Sequence, residues 1–174
     1  MDLKGQSRVI IENVQPQIDE GLYPAKRTVG ERVDVSADIF SDGHDHIRAR
    51  LLYKKEGEAK WREVEMAQGI NDEWRAFFYV EEKGIYRFTL QAWVDHFETW
   101  YDGFKKKADA GVDVHLELLE GIQILKALAS SNAGLKSISK RLEDDYAAAT
   151  RFVMSPDFGV IVHANPLIQH AHTY

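Results

Sequence analysis

Ile85-Tyr86-Arg87-Phe88-Thr89-Leu90-Gln91-Ala92-Trp93-Val94-Asp95 alternates without interruption. Tyr86, Phe88, Leu90, Ala92 and Val94 fall on one face, the period-2 pattern of a half-buried strand. It is read as the longest strand of the chain. Working back from it, the same period recurs. Glu73-Trp74-Arg75-Ala76-Phe77-Phe78-Tyr79-Val80 and Trp61-Arg62-Glu63-Val64-Glu65-Met66 read as strands, parted by a polar loop with Gly69 and Asn71. Ile47, Ala49, Leu51 and Tyr53 alternate before the charged stretch Lys54–Gly57-Glu58, and Val33, Val35, Ala37 and Ile39 alternate before Ser41-Asp42-Gly43, a turn composition. Short strands at near-regular spacing with no helix between them predict an antiparallel β-sandwich over residues 1–101.

Forward of Trp100 the period changes. Val114, Leu118, Ile122, Leu125 and Leu128 recur every three or four residues, which predicts an amphipathic helix over about 112–130. Gly121 interrupts that stripe, and Ser131-Asn132-Ala133-Gly134 supplies a stop. A second helix is expected over about 135–151, where Leu135, Ile138, Leu142 and Tyr146 share a face. Residues 152–174 mix the apolar run Val160-Ile161-Val162 with Pro156, Pro166 and three His, and no regular element is assigned there. The fold class is therefore mainly β with an α appendage, a sandwich followed by a small helical subdomain over 102–174.

Composition narrows the function. The chain has 174 residues, and 44% apolar with 29% charged is the balance of a folded chain rather than a disordered one. That length is too short for a (β/α)₈ barrel, which needs roughly 250 residues. Twenty-eight acids against 22 Lys and Arg leave a net charge of −6, the wrong sign for a protein that tracks phosphates on nucleic acid. No Cys is present, so disulfides, thiolate metal sites and Cys nucleophiles are excluded. The polar start Met1–Arg8 is unlike a signal peptide, and no apolar run reaches the roughly 18 residues of a membrane span. A cytoplasmic location is expected.

Three groups of residues could carry chemistry. His44-Asp45-His46 would place two imidazoles about 7 Å apart if it were strand, a partial metal site. No third ligand is placed by the sequence, and Asp42-Gly43-His44-Asp45 equally fits a polar inter-strand turn, the preferred reading. His170-Ala171-His172 has the same spacing and is read as a frayed tail. The aromatic set Trp61, Trp74, Trp93, Phe97, Trp100 and Tyr101 could stack on sugar rings or could fill a core. Trp93 and Asp95 lie opposite the Phe88, Leu90 and Val94 face, so at least one face carries aromatic surface, and spacing leaves open whether it meets solvent, a ligand or another domain. Lys105-Lys106-Lys107 reads as a solvated helix start or loop. No catalytic carboxylate pair, Ser/His/Asp order or phosphate-binding glycine loop can be picked. No residue is assigned a catalytic, cofactor-binding or metal-binding role.

Longer strings carry a resemblance. Arg8–Val14, Gly21-Leu22-Tyr23-Pro24-Ala25-Lys26-Arg27-Thr28-Val29-Gly30-Glu31, Asp42–Asp45, Trp93-Val94-Asp95-His96-Phe97-Glu98-Thr99-Trp100, and Lys105-Lys106 through Gly111-Val112-Asp113 to Glu117–Gly121 stand in the order of one family. The chain resembles the amino-terminal region of the GlgE-type α-1,4-glucan:maltose-1-phosphate maltosyltransferases of the α-amylase superfamily. The resemblance runs from about Arg8 to Leu128. It implies an immunoglobulin-like β-sandwich with a helical subdomain inserted before its closing strand. It further implies a following barrel that carries the retaining glycosyl transfer, with α-glucan and maltose 1-phosphate as substrates, and a homodimer. Neither nucleic acid nor membrane is a partner, and no cofactor is implied. Every catalytic position of the family lies in the barrel, so none carries over to this chain. No equivalent of the closing strand is read by Tyr174, which predicts a truncated sandwich whose uncovered edge self-associates.

Overall fold

The computed structural model describes residues 9–19, 21–130 and 132–174. The polar start, Arg8 of the first matched string and Ser131 of the helix stop lie outside the described residues. Two compact units divide the chain: one takes it up to Val94 and again over Ile168–Tyr174, the other holds Asp95–Leu167.

The first unit contains β1 (Val9–Gln15), β2 (Arg32–Ser41), β3 (Ile47–Lys55), β4 (Arg62–Glu65), β5 (Ala67–Gln68), β6 (Glu73–Tyr79), β7 (Tyr86–Val94) and β8 (His172–Thr173). Among the described residues they form two antiparallel four-stranded sheets, ordered β1-β2-β6-β5 and β4-β3-β7-β8. The alternation is realised as read: Val33, Val35, Ala37 and Ile39 of β2 face Trp74, Ala76 and Phe78 of β6 on the inner side of the first sheet. Leu51 and Leu90 supply the opposing layer from the second sheet, and all of them join one buried cluster. Tyr53 and Phe78 stack at 4.4 Å between ring centroids, one from each sheet. The longest strand is β2, with ten residues, rather than β7 with nine. At Met66 the chain passes from the second sheet to the first, and that residue is buried where β4 gives way to β5.

The second unit contains α1 (His96–Asp109), α2 (His115–Leu128), α3 (Ala133–Asp144), α4 (Tyr146–Val153) and α5 (Pro156–Ala164). Each start except that of α2 has a side-chain cap. Asp95 Oδ1 accepts from the Phe97 and Glu98 N–H groups at 3.0 and 3.3 Å, Asn132 from Gly134 N–H, and Asp145 from Ala148 N–H. Ser155 accepts from Phe158 N–H, with Pro156 opening α5 at the position where its missing N–H removes no bond. Phe97, Trp100, Phe104, Leu118, Ile122, Leu125, Leu142, Val153 and Phe158 form a second buried cluster.

Several expectations are corrected. The helical region begins at His96, not at 102, because Asp95 caps a helix whose Phe97, Trp100 and Phe104 already repeat at helical spacing. The helix expected over 112–130 is the shorter α2. The helix expected over 135–151 is two helices, broken at Asp145, which leaves α3 in an extended conformation (φ −148°, ψ 110°) to cap α4. The tail is not frayed. Residues 156–164 are helical, and the closing strand that no pattern announced is β8, paired with β7 through Gln91↔Thr173 and Ala92↔His172. Two residues carry no periodicity, so only the neighbouring strand reveals them.

Gly121 has its own cause. A Cβ there would stand 2.0 Å from Trp100 Cζ2, so the indole of α1 lies directly on the backbone of α2. The indole N–H donates to the Glu117 carbonyl at 2.7 Å, which satisfies the polar edge of a nearly buried ring.

Candidate functional site

The first unit holds a cleft of about 750 Å³, within the size range of small-molecule sites. One wall is the long connection between β1 and β2. Its first half is a small turn closed by an Ile18–Tyr23 bridge, with Gly21 at φ +84° where a side chain would be strained. Its second half is tied to the end of β6: Gly30 N–H donates to the Val80 carbonyl at 2.7 Å, and Val80 N–H to the Glu31 carbonyl at 3.0 Å. Glu31 also accepts from Thr28 N–H at 2.8 Å and lies 3.5 Å from the Arg27 guanidinium. The opposite wall is the start of β7, with Tyr86 and Phe88, joined by Trp61 and Tyr174.

Aromatic faces and cations dominate the lining. Tyr23, Trp61, Tyr86 and Tyr174 are accompanied by Lys26, Arg27 and Arg87, and among the described residues no Asp or Glu lines the cleft. Trp61 is 40% exposed and carries the Lys54 ammonium 4.8 Å above its ring. Arg87 pairs with Glu56 at 3.0 Å, a surface contact worth no more than about 1 kcal/mol. Such a surface can stack planar or sugar-like faces and attract anions. Among the described residues its lining brings together no nucleophile with an acid or base.

The residues singled out in the sequence scatter. Of the aromatic set only Trp61 lines the cleft. Trp74 is core, its indole N–H donating to the Ile39 carbonyl at 3.1 Å. The Trp93 and Asp95 face does not meet solvent: both are buried, Trp93 beneath the Arg50 guanidinium and Asp95 as the cap of α1. Phe97 and Trp100 belong to the helical core, with Tyr101 packed against it. His44 and His46 precede β3 in a loop, so the strand geometry for a metal pair does not arise. His170 takes φ +48° before β8 while His172 lies within it. Among the described residues no three His, Asp or Glu converge on a metal position. Lys105, Lys106 and Lys107 are inside α1: Lys105 lies over the Tyr101 ring, Lys106 pairs with Asp102 at 2.6 Å, and Lys107 pairs with Glu117.

Sequence reasoning passed over two features. Tyr23 and Arg27 carry no local signal beyond their place in a matched string, and their loop position beside Trp61 depends on a fold-back that no local signal encodes. In the second unit, Asp113 Oδ1 accepts from the Tyr146 hydroxyl at 2.9 Å and from His115 N–H at 3.1 Å. These bonds, the hydroxyl first, hold the Asp113 carboxyl below its ordinary pKa. Desolvation first, then Asp113, pushes the Tyr146 phenol upward.

A family model described as alpha-1,4-glucan:maltose-1-phosphate maltosyltransferase, domain N/S, matches residues 7–174, through both units. The chain belongs to this maltosyltransferase N/S family. Among its relatives, the alpha-1,4-glucan:maltose-1-phosphate maltosyltransferase of Chlorobaculum tepidum is 51% identical over 122 residues, 70% of this chain and 18% of that protein. The enzyme of the same name from Myxococcus xanthus is 38% identical over 171 residues, 95% of this chain and 26% of that protein. That from Methylacidiphilum infernorum is 32% identical over 171 residues, with the same coverage. The chain thus spans about a fifth to a quarter of the length of these maltosyltransferase relatives. The match continues well beyond Leu128, where the resemblance read from the strings stopped. Among the described residues, no helix is long and apolar enough to cross a membrane.

Proposed function

We propose that this chain is the non-catalytic amino-terminal part of a maltosyltransferase that extends α-1,4-glucan from maltose 1-phosphate. Its role is to support a following catalytic barrel of the same polypeptide and to contribute to a homodimer in the cytoplasm. The sandwich is of the immunoglobulin-like kind in this reading, with the helical unit inserted before β8. The observation that carries the proposal is the family match over 7–174 by a chain that spans at most 26% of the relatives cited. A supporting feature is the apolar surface of the β1–β2 connection, where Leu22 is 78% exposed beside Tyr23 and Ile18. The test is maltosyl transfer from maltose 1-phosphate to a short glucan, followed by phosphate release. The 174-residue chain is expected to release none and the full-length protein to turn over. Turnover by the 174-residue chain alone would end the proposal.

A second reading has one observation in its favour. Trp61, exposed at the mouth of a cleft rich in aromatic faces, suits an independent α-glucan-binding module. Titration with maltoheptaose under Trp fluorescence tests it. A saturable change below millimolar ligand that Trp61→Ala abolishes would favour this reading over the scaffold.

A further inference from the structure

The cleft of the first unit has two layers of different chemistry. Its inner layer is apolar. Val14, Val33, Phe78 and Val80 line it while belonging to the buried core of the sandwich, and Phe88 packs against that core. Phe78 and Tyr86 stack there at 6.1 Å between ring centroids, one from each sheet. A sandwich core normally closes over such residues at crystal-like density. Here about 750 Å³ of space lies against them.

The polar side chains beside that layer are already engaged. Gln17 Nε2 donates to the Val14 carbonyl at 2.6 Å, and the Tyr86 hydroxyl accepts from Glu82 N–H at 3.1 Å. A sugar ring carried inward would leave hydroxyls without partners, which is unfavourable. A chain of methylenes needs no partner and gains from each group that leaves water.

The outer layer is cationic. Lys26, Arg27 and Arg87 line the cleft and are exposed, and among the described residues no Asp or Glu joins them, although the chain as a whole carries a charge of −6. The two guanidinium groups are partly neutralised from outside the cleft. Arg27 lies 3.5 Å from Glu31 and donates through Nη1 to the Lys26 carbonyl at 2.8 Å, and Arg87 pairs with Glu56 at 3.0 Å. Among the described residues Lys26 has no ion pair, so its ammonium is available to an anion at the mouth. One available ammonium beside two partly neutralised guanidinium groups matches a single negative charge better than a polyphosphate.

We propose that the cleft binds the anion of a fatty acid. The acyl chain lies against Val14, Val33, Phe78, Val80 and Phe88, and the carboxylate stays at the mouth beside Lys26. An apolar interior under a cationic mouth complements an anionic amphiphile in both of its parts. The proposal does not depend on the maltosyltransferase reading.

Calorimetric titration of the full-length protein with octanoate, decanoate and dodecanoate tests it. One site per chain is expected, with affinity rising by up to about 15-fold for each pair of methylenes, the gain for full burial. Lys26→Glu replaces attraction by repulsion at an exposed position and should weaken decanoate about tenfold. Decanol, which has the same chain and no charge, should bind that variant within about twofold of the unaltered protein, which also reports that the cleft is intact. Affinity independent of chain length overturns the proposal, as does decanoate binding that Lys26→Glu leaves unchanged. Displacement of decanoate by an equal concentration of maltoheptaose overturns it in favour of a glucan. Binding by the 174-residue chain that the full-length protein lacks also overturns it, because the cleft is then covered in the complete polypeptide. Maltosyl transfer by the same full-length preparation is a separate readout, so failure of fatty-acid binding leaves the maltosyltransferase reading standing.

Discussion

The two units hold together by different means. In the sandwich, alternate residues of β2, β6, β3 and β7 bury flat apolar faces, and the hydrogen bonds run between strands far apart in sequence. In the helical unit the backbone bonds are local, so specificity falls to caps at Asp95, Asn132, Asp145 and Ser155 and to one very close crossing at Gly121. A sheet can be left with an open edge and still be recognisable from its pattern. A helix cluster has no such edge, and its integrity depends on single residues at its joints. The difference predicts where each unit is fragile.

The largest effects should come from core truncation and should be alike in the two units. Leu51→Ala in the sandwich and Leu125→Ala in the helical unit, both fully buried, are each expected to lose about 2–5 kcal/mol in urea unfolding. A loss below about 1 kcal/mol at either site would show that its core collapses around the gap. The joints come next. Gly121→Ala gains up to about 1 kcal/mol of helix propensity but drives a methyl into the Trp100 ring, and overpacking of this kind costs about 1–3 kcal/mol. Net destabilisation is expected, with a shift in Trp emission. Gly103→Ala, with nothing within 4 Å of the added methyl, is the control and should stabilise by about 0.5–1 kcal/mol.

Asp95→Ala removes an acceptor that also serves Leu167 N–H at 3.2 Å, and about 1–2 kcal/mol should be lost in urea unfolding. The smallest effect belongs to Asp113 on the helical surface. Its carboxyl has a lowered folded pKa, so the stability it contributes is present above the unfolded value of about 3.9 and lost as pH falls through the folded one. Tyr146 has a raised folded pKa, so its share is present below about 10 and lost as pH rises further. Melting temperature measured against pH should therefore sag at both ends, and Asp113→Asn should make the acid limb shallower, with Glu82 and Glu117, also held below the ordinary carboxyl pKa by Lys55 and Lys107, supplying part of the remainder. An acid limb unchanged in Asp113→Asn would assign the sag to other carboxylates.

Legibility in the sequence followed the same division. Strands β2, β3, β4, β6 and β7 were readable because half-buried sheet imposes a strict period of two, and Val33 to Ile39 shows it in seven residues, whereas the two residues of β5 fell in what read as a polar loop. The start of α1 was misread because its aromatic run follows directly on a strand, and one buried Asp decides where the chain turns. The break at Asp145 was invisible for a similar reason: an acidic run can be a solvated helix face or a cap, and only the extended backbone there distinguishes them. Of the cleft, Trp61 was marked as a candidate, whereas Tyr23, Arg27 and Tyr86 drew attention only as string members or strand positions.

The amino-acid sequence by itself determined the class of the fold and, through its long matched strings, the family. Both depend on local patterns: the period of apolar residues, turn compositions and the order of particular side chains. Only the tertiary structure decided that β8 returns to β7, that Gly121 must be glycine, and that a cleft opens between Tyr86 and the β1–β2 connection. These depend on contacts between residues distant in sequence, such as Ala92 with His172 and Trp100 with Gly121. Local propensity carries no information about such pairs, because their free energy exists only once the chain has folded back on itself.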